Sequence, residues 1–315
     1  MSRLGFAILA GTLTAQISAH AQNPSASPSA WPFSRSPAAP IAAPASTPPP
    51  RNPPLQERSW AEITERVVSP LGSNALGIKP EQWKHAETEN FVLHYRRLAD
   101  ANAVGREIEF HLWFVAKELG ASREQYVRKS HVYIFKDEGE WQKFLSTTSQ
   151  PAWSHSFAHG DELFLDVRED SGAFDSENLA HETTHAVIAR LYRRGQWPLW
   201  LNEGFAEYMG RASVAARHSQ TVRRNQAVLQ SASLSVAELT ATSRYPGDRE
   251  QVAQLYQTAE KFVRYLCNRY PRELFPKFVE RLLNGEPAQV ALPAVYGPEF
   301  NDMAAFERRF ARFNR

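Results

Sequence analysis

The sequence predicts an α+β protein with a small mixed β-sheet, two helices flanking it, a central helix, and a helical lobe after that. Three observations carry this expectation. Strand-like runs rich in β-branched and aromatic residues cluster between residues 88 and 195. From 196 to 315 the apolar residues recur instead with helical spacing. Near the end of the first region lies His181-Glu182-Thr183-Thr184-His185, inside a stretch with the stripe and end signals of one amphipathic helix.

Residues 1–21 have the three parts of an export signal: Arg3, a mostly apolar stretch from Leu4 to Leu13, and Ala19-His20-Ala21 as an A-x-A cleavage site. A periplasmic or secreted location is therefore expected, with the mature chain beginning at Gln22. Residues 22–58 are rich in Pro, Ala and Ser, including Pro48-Pro49-Pro50 and Pro53-Pro54. They hold too little apolar surface to offset the entropy of ordering, so a disordered or polyproline-like linker is expected, with Trp31 and Phe33 as chance aromatics in it. Residues 59–87 read as an N-terminal helical extension. Trp60, Ile63, Val67 and Val68 suggest a short amphipathic helix that ends before Pro70.

Residues 88–315 form the expected main domain, divided at 195 into an α/β lobe and a helical lobe. In the first lobe Phe91-Val92-Leu93-His94-Tyr95 reads as a strand, 101–119 as a helix stopped by Gly120, and 130–135 as a second strand. A helix around 138–145 follows, then a strand at Leu163-Phe164-Leu165. Asp175 or Ser176 can cap the central helix, whose apolar stripe is Leu179, Val187, Ile188 and Leu191. Arg190, Arg193 and Arg194 suit its C-terminal end, and Gly195 can stop it. In the second lobe Trp197-Pro198 suits a turn into a new helix. Helices are then expected over 250–270 and 271–283, the latter ended by Asn284-Gly285, with a last helix carrying Phe300, Met303, Phe306 and Phe310.

The formal net charge is +2, with acids and bases interleaved, which gives no reason to expect nucleic acid or an anionic membrane as partner. Nor does any stretch approach the roughly 20 apolar residues that a membrane span needs. Cys267 is the single cysteine, so internal disulfides are excluded. Its place on the apolar side of the 250–270 helix suggests a buried small side chain rather than a reactive thiol.

Chemistry concentrates in 23 residues. On a helix, residues four apart lie one above the other, so His181 and His185 present two imidazoles at a spacing that one Zn²⁺ can bridge. Glu182, beside the first of them, would face the open position of such an ion and serve as general base for a water there. Glu203 and Glu207 are four apart on the next expected helix. Glu203 can complete a His₂Glu set, and Glu207, one turn on, can accept a hydrogen bond from a ligand histidine and fix its tautomer. Asn202, next to Glu203, is a further candidate for supporting the ligands from behind. A third histidine of the HExxHxxGxxH kind is excluded, because Ile188 and Leu191 stand where Gly and His would be needed. His155 and His159, four apart before the 163–165 strand, could reach the mouth of a cleft but lack a carboxylate partner in sequence. His218 is a weaker candidate donor downstream of Glu203.

Trp200-Leu201-Asn202-Glu203-Gly204-Phe205-Ala206 resembles the third-ligand segment of gluzincin aminopeptidases. Seventeen residues separate His185 from Glu203, one fewer than in those enzymes, and the Gly-x-Met-Glu-Asn stretch with which they recognise a substrate amino terminus is absent. Closer is the resemblance of residues 88–285 to the peptidase-MA-like family of exported bacterial proteins. It rests on Phe91-Val92-Leu93-His94-Tyr95, Val132-Tyr133-Ile134-Phe135, the His-Glu-x-x-His helix, the run from Pro198 to Tyr208, and Leu255-Tyr256 before a helix. The resemblance implies a zincin or gluzincin-like fold, zinc as cofactor, a peptide or protein substrate, and the 163–165 strand as the sheet edge along the cleft. It also implies that Tyr256 steadies the oxyanion, although Val252, Leu255, Ala259, Phe262, Val263 and Leu266 make its helix an amphipathic core helix in which a tyrosine could equally be packing. Peptide-bond hydrolysis is the expected activity. A catalytically silent binding or assembly module, or hydrolysis of a non-protein amide such as one in a peptidoglycan stem, are the alternatives.

Overall fold

A computed structural model describes residues 53–126, 128–167, 175–193, 195–218 and 234–313. The expected export signal, Trp31, Phe33, Arg194 and nearly all of the linker lie outside them.

Five strands form one mixed sheet in the order β1-β2-β3-β5-β4, where β1 is Lys84–Glu87, β2 Phe91–Tyr95, β3 Ser130–Phe135, β4 Ser156–His159 and β5 Glu162–Asp166. β2, β3 and β5 run parallel, while β1 and β4 pair antiparallel at the two edges. The three inner strands are rich in β-branched and aromatic residues and buried throughout except at Asp166, as strands covered on both faces must be. Alternation along each strand divides the core. Phe91, Leu93, Val132, Ile134, Leu163 and Leu165 face helix α2, Leu98–Glu118, and the helices beyond it, whereas Tyr133, Phe135, Phe157 and Phe164 face α1, Pro70–Leu76, and α3, Glu138–Leu145.

The second face also carries a buried polar row. His85 Nδ1 lies 2.8 Å from His94 Nδ1, and His94 Nε2 lies 2.9 Å from His131 Nδ1, so three imidazoles on adjacent strands hydrogen-bond in series. Trp60 tilts against the first two rings, and Tyr133 stacks on His94.

After β5 come α4, Ser176–Leu191, and α5, Leu199–Arg217; then α6, Val236–Ala241; α7, Arg249–Arg269; α8, Leu274–Leu283; α9, Ala288–Tyr296; and α10, Met303–Phe310. α5 lies between α4 and α7, and α2 packs under α4 and α5. Among the described residues, no helix is long and apolar enough to cross a membrane. Cys267 is half-buried on α7, its thiol pushed well up by burial and then by Glu118.

Several expectations need correction. In place of a helix through Val68 there is one 3₁₀ turn, Trp60–Glu62, and Pro70 starts a helix rather than following one. The physical reason is Ser69, whose hydroxyl accepts from the Gly72 N–H as N-cap, with proline at the first helical position where its missing donor costs nothing. β1 was not expected, because Lys84-His85-Ala86-Glu87 is polar and buries only Ala86. The strand at 163–165 is internal rather than at the edge: β4 pairs along it and forms the border, so His159 ends a strand instead of lying in a loop. Phe300 belongs to a separate 3₁₀ turn, Pro298–Phe300, before the last helix.

His111 on α2 is fully buried, and burial, then the charges of Arg217 and His218, push its pKa down to about 3. Burial, then Arg128, holds His131 down at about 4. Unfolded imidazoles titrate near 6.5, so below that pH the unfolded chain binds more protons and stability falls as pH drops towards these values. The unfolding free energy from urea titration should therefore be lower at pH 5 than at pH 7, and His111→Leu should shrink that difference by about 2 kcal/mol. An unchanged difference would show that His111 does not enter the folded state uncharged.

Candidate metal centre

α4 begins where the Asp175 carboxylate accepts from the N–H groups of Glu177 and Asn178. Its helical spacing sets His181 and His185 on one face with Nε2 atoms 3.0 Å apart. α5 crosses that face and brings Glu203 Oε2 to 3.6 Å from each of the two Nε2 atoms. One ligand atom from each of the three residues lies within 4.8 Å of the others, and all three side chains are buried. In a tetrahedral zinc site with bonds near 2.0–2.1 Å, ligand atoms stand about 3.3 Å apart. The observed separations differ from this by a few tenths of an ångström, so the donor set and its spacing fit a zinc ion.

The charges around the group agree with that reading. Burial would strip the proton from His181, but the Glu203 hydrogen bond and the nearby Glu207 carboxylate outweigh it and hold its pKa above the ordinary imidazole value. Burial would likewise raise Glu203, yet His185 and His181 hold its carboxyl well below the usual range. The buried carboxylate of Glu203 and the raised pKa of His181 both mark a place that favours positive charge, the place a cation would take. Ion binding at such a site releases protons from its ligands.

Glu182 is fully buried, and burial pushes its pKa up to about 8 against the opposing pull of His185. Its Oε2 accepts from the Ala158 N–H at 2.9 Å, on the free edge of β4. Glu207 Oε1 lies 3.4 Å from His181 Nδ1, while its Oε2 accepts from Arg211 at 2.8 Å. Asn202 is half-buried beside Glu203, and its backbone N–H donates to Pro198 O. Tyr256, on α7, stacks its ring on His181 with centroids 6.3 Å apart. Burial, then Glu203 and Tyr245, hold its phenol well above the usual value, so it keeps its proton.

The remaining candidates lie elsewhere. His155 is exposed and pairs with Asp166, His159 is exposed at the end of β4, and His218 lies 3.5 Å from Glu107 at the end of α5. Sequence reasoning missed Tyr245, whose hydroxyl donates to Glu203 Oε1 at 2.6 Å from the connection over 242–248. No periodicity marks that connection; only the packing of α6 and α7 brings it to Glu203, 42 positions away.

Two glycines set the distances between these helices. A Cβ on Gly210 would stand 3.3 Å from both Glu177 O and His181 N, so α5 touches the backbone of α4 there. One on Gly204 would fall 2.5 Å from Ala259 O, in the backbone of α7.

A mixed α+β fold with a buried His-His-Glu group able to hold a metal ion is compatible with a metallopeptidase-type fold. A family model described as the peptidase MA superfamily matches residues 112–313, and the chain belongs to that superfamily. No curated protein matches the chain.

Gly204→Ala should force α5 and α7 apart, because the clash is with backbone that cannot rotate away. A loss of about 1–3 kcal/mol in unfolding free energy is expected, with weaker binding of any metal ion the group can hold, because Glu203 is the adjacent residue. Unchanged denaturation and zinc titration would contradict the close crossing.

Proposed function

We propose that this chain is an exported zinc metallopeptidase of gluzincin type, with His181, His185 and Glu203 as ligands and Glu182 as general base. The observation that carries the reading is the buried His-His-Glu group beside a buried carboxylate that zinc binding alone does not require. A zinc ion there would supply Lewis acidity, lowering the pKa of a water towards neutrality and polarising a scissile carbonyl.

The chain's own residues would do the rest. The Ala158 N–H fixes one oxygen of Glu182, leaving Oε1 to take the proton of the attacking water and pass it to the leaving nitrogen. Glu207 would orient the His181 ring through Nδ1, so that Nε2 faces the ion. The Tyr256 phenol, kept protonated, is the candidate donor to the oxyanion that forms as the carbonyl is attacked. Asn202 would support the turn that presents Glu203. Peptide or protein is the proposed substrate, and an export signal at residues 1–21 would put the reaction in the envelope or outside the cell.

Purified full-length protein should carry near-stoichiometric zinc, and His185→Ala should lose it. Glu182→Gln retains an acceptor for the Ala158 N–H, so it should keep zinc and fold while hydrolysis falls by about 10²–10⁴-fold. Mass spectrometry of products from a degenerate peptide library and from peptidoglycan fragments would measure this. Products from peptidoglycan alone would move the substrate to a non-protein amide, and a cellular effect that survives Glu182→Gln would make the chain a binding module.

A further inference from the structure

Resting on the reading of His181, His185 and Glu203 as zinc ligands, we propose that Tyr245 is a positioning residue that holds Glu203 as a one-oxygen ligand. The two oxygens of this carboxylate occupy different surroundings. Oε2 faces both ligand imidazoles at 3.6 Å, whereas Oε1 accepts from the Tyr245 hydroxyl at 2.6 Å. A carboxylate free to pivot can offer both oxygens to one cation. A donor on Oε1 draws that oxygen aside and confines the ion to Oε2, so three protein atoms are used and a fourth tetrahedral position stays open. Hydrogen bonds from hydroxyl to ionised carboxylate are short and strong, and the 2.6 Å separation falls in that class.

The donor is itself held in place. Tyr245 sits on the connection between α6 and α7, with its ring centroid 6.5 Å from that of Tyr256, and Tyr256 stacks in turn on His181. One aromatic column thus ties the hydroxyl that orients Glu203 to the ring of another ligand. Glu203 is fully buried and Tyr245 half-buried, so loss of the phenol hydroxyl would leave Oε1 without this donor where little water reaches.

The test compares the full chain with Tyr245→Phe, and with Tyr208→Phe as a control for loss of a phenol hydroxyl, since Tyr208 donates to Asn268 away from the ligands. Zinc affinity is read by competition with a chelator, the coordination number by the visible spectrum of the cobalt(II)-substituted protein, and Tm with and without zinc. Tyr245→Phe should bind zinc about 10-fold or more weakly, as losses of outer hydrogen-bond partners do, with a weaker cobalt band as Oε1 turns to the ion. Its Tm deficit should widen when zinc is added, because the ion stabilises each chain according to its affinity. Tyr208→Phe should leave zinc affinity and the cobalt spectrum unchanged. Equal affinity and an unchanged spectrum in Tyr245→Phe would overturn the proposal. So would a Tm deficit of the same size with and without zinc, or a variant that fails to fold before any ion is added, because either outcome makes the role structural. Wild-type protein that binds no zinc would overturn the metal-site reading itself, before any variant is compared.

Discussion

The candidate site depends on how closely α5 approaches its two neighbours. His181 and His185 are placed by one helix alone, since four-residue spacing stacks them on a single face. Glu203 is not: it reaches the imidazoles only because α5 lies almost backbone to backbone with α4 at Gly210 and with α7 at Gly204. A side chain at Gly210 would need its neighbours to give by a few tenths of an ångström, and one at Gly204 would force backbone to shift, displacements on the scale by which the donor atoms miss a tetrahedron or larger. Packing in this region is therefore coordination geometry, and the aromatic rings Trp197, Trp200, Phe205, Phe262 and Phe275 pack against one another in the same helical lobe.

Burial then governs the electrostatics. Three ionisable side chains and Glu182 lie together with little exposure, an arrangement whose desolvation cost is large unless opposite charges meet. Here the carboxylate of Glu203 is matched by imidazole protons, and Glu207 adds a second carboxylate behind His181, in turn tied to Arg211. The alternation of acid and base outward from the centre, Glu203 to His181 to Glu207 to Arg211, keeps each group next to its opposite.

Much of this could be read from residue spacing, and the exceptions have identifiable causes. α4 was legible because its apolar stripe coincided with an end signal at Asp175, and β2 and β3 because β-branched and aromatic residues fill them. The His-His-Glu set was legible because two of its members are local and the third lies in a neighbouring helix with its own i, i+4 partner. β1 escaped because Lys84-His85-Ala86-Glu87 has one buried position, and β4 because its four residues, three of them buried, are too few to show an alternation. Pro70 misled because proline ends one helix and begins another with the same ring, and only Ser69 tells the two apart. Tyr245 lay beyond reach, since nothing local relates a turn residue to a carboxylate on another helix.

The sheet has two edges, and they are treated differently. Along β1, Arg58 forms an antiparallel bridge with His85, so a segment from the start of the described chain covers that border. Along β4 the outward N–H of Ala158 is met instead by Glu182. An exposed strand edge invites pairing with another chain, and short or occupied edges resist it. The carboxylate proposed to activate water therefore also satisfies the outward N–H of the sheet's last strand beneath α4, so replacing it with a residue lacking an acceptor would leave a buried donor unpaired as well as remove a base. Strand pairing at this edge and the proposed chemistry share one side chain.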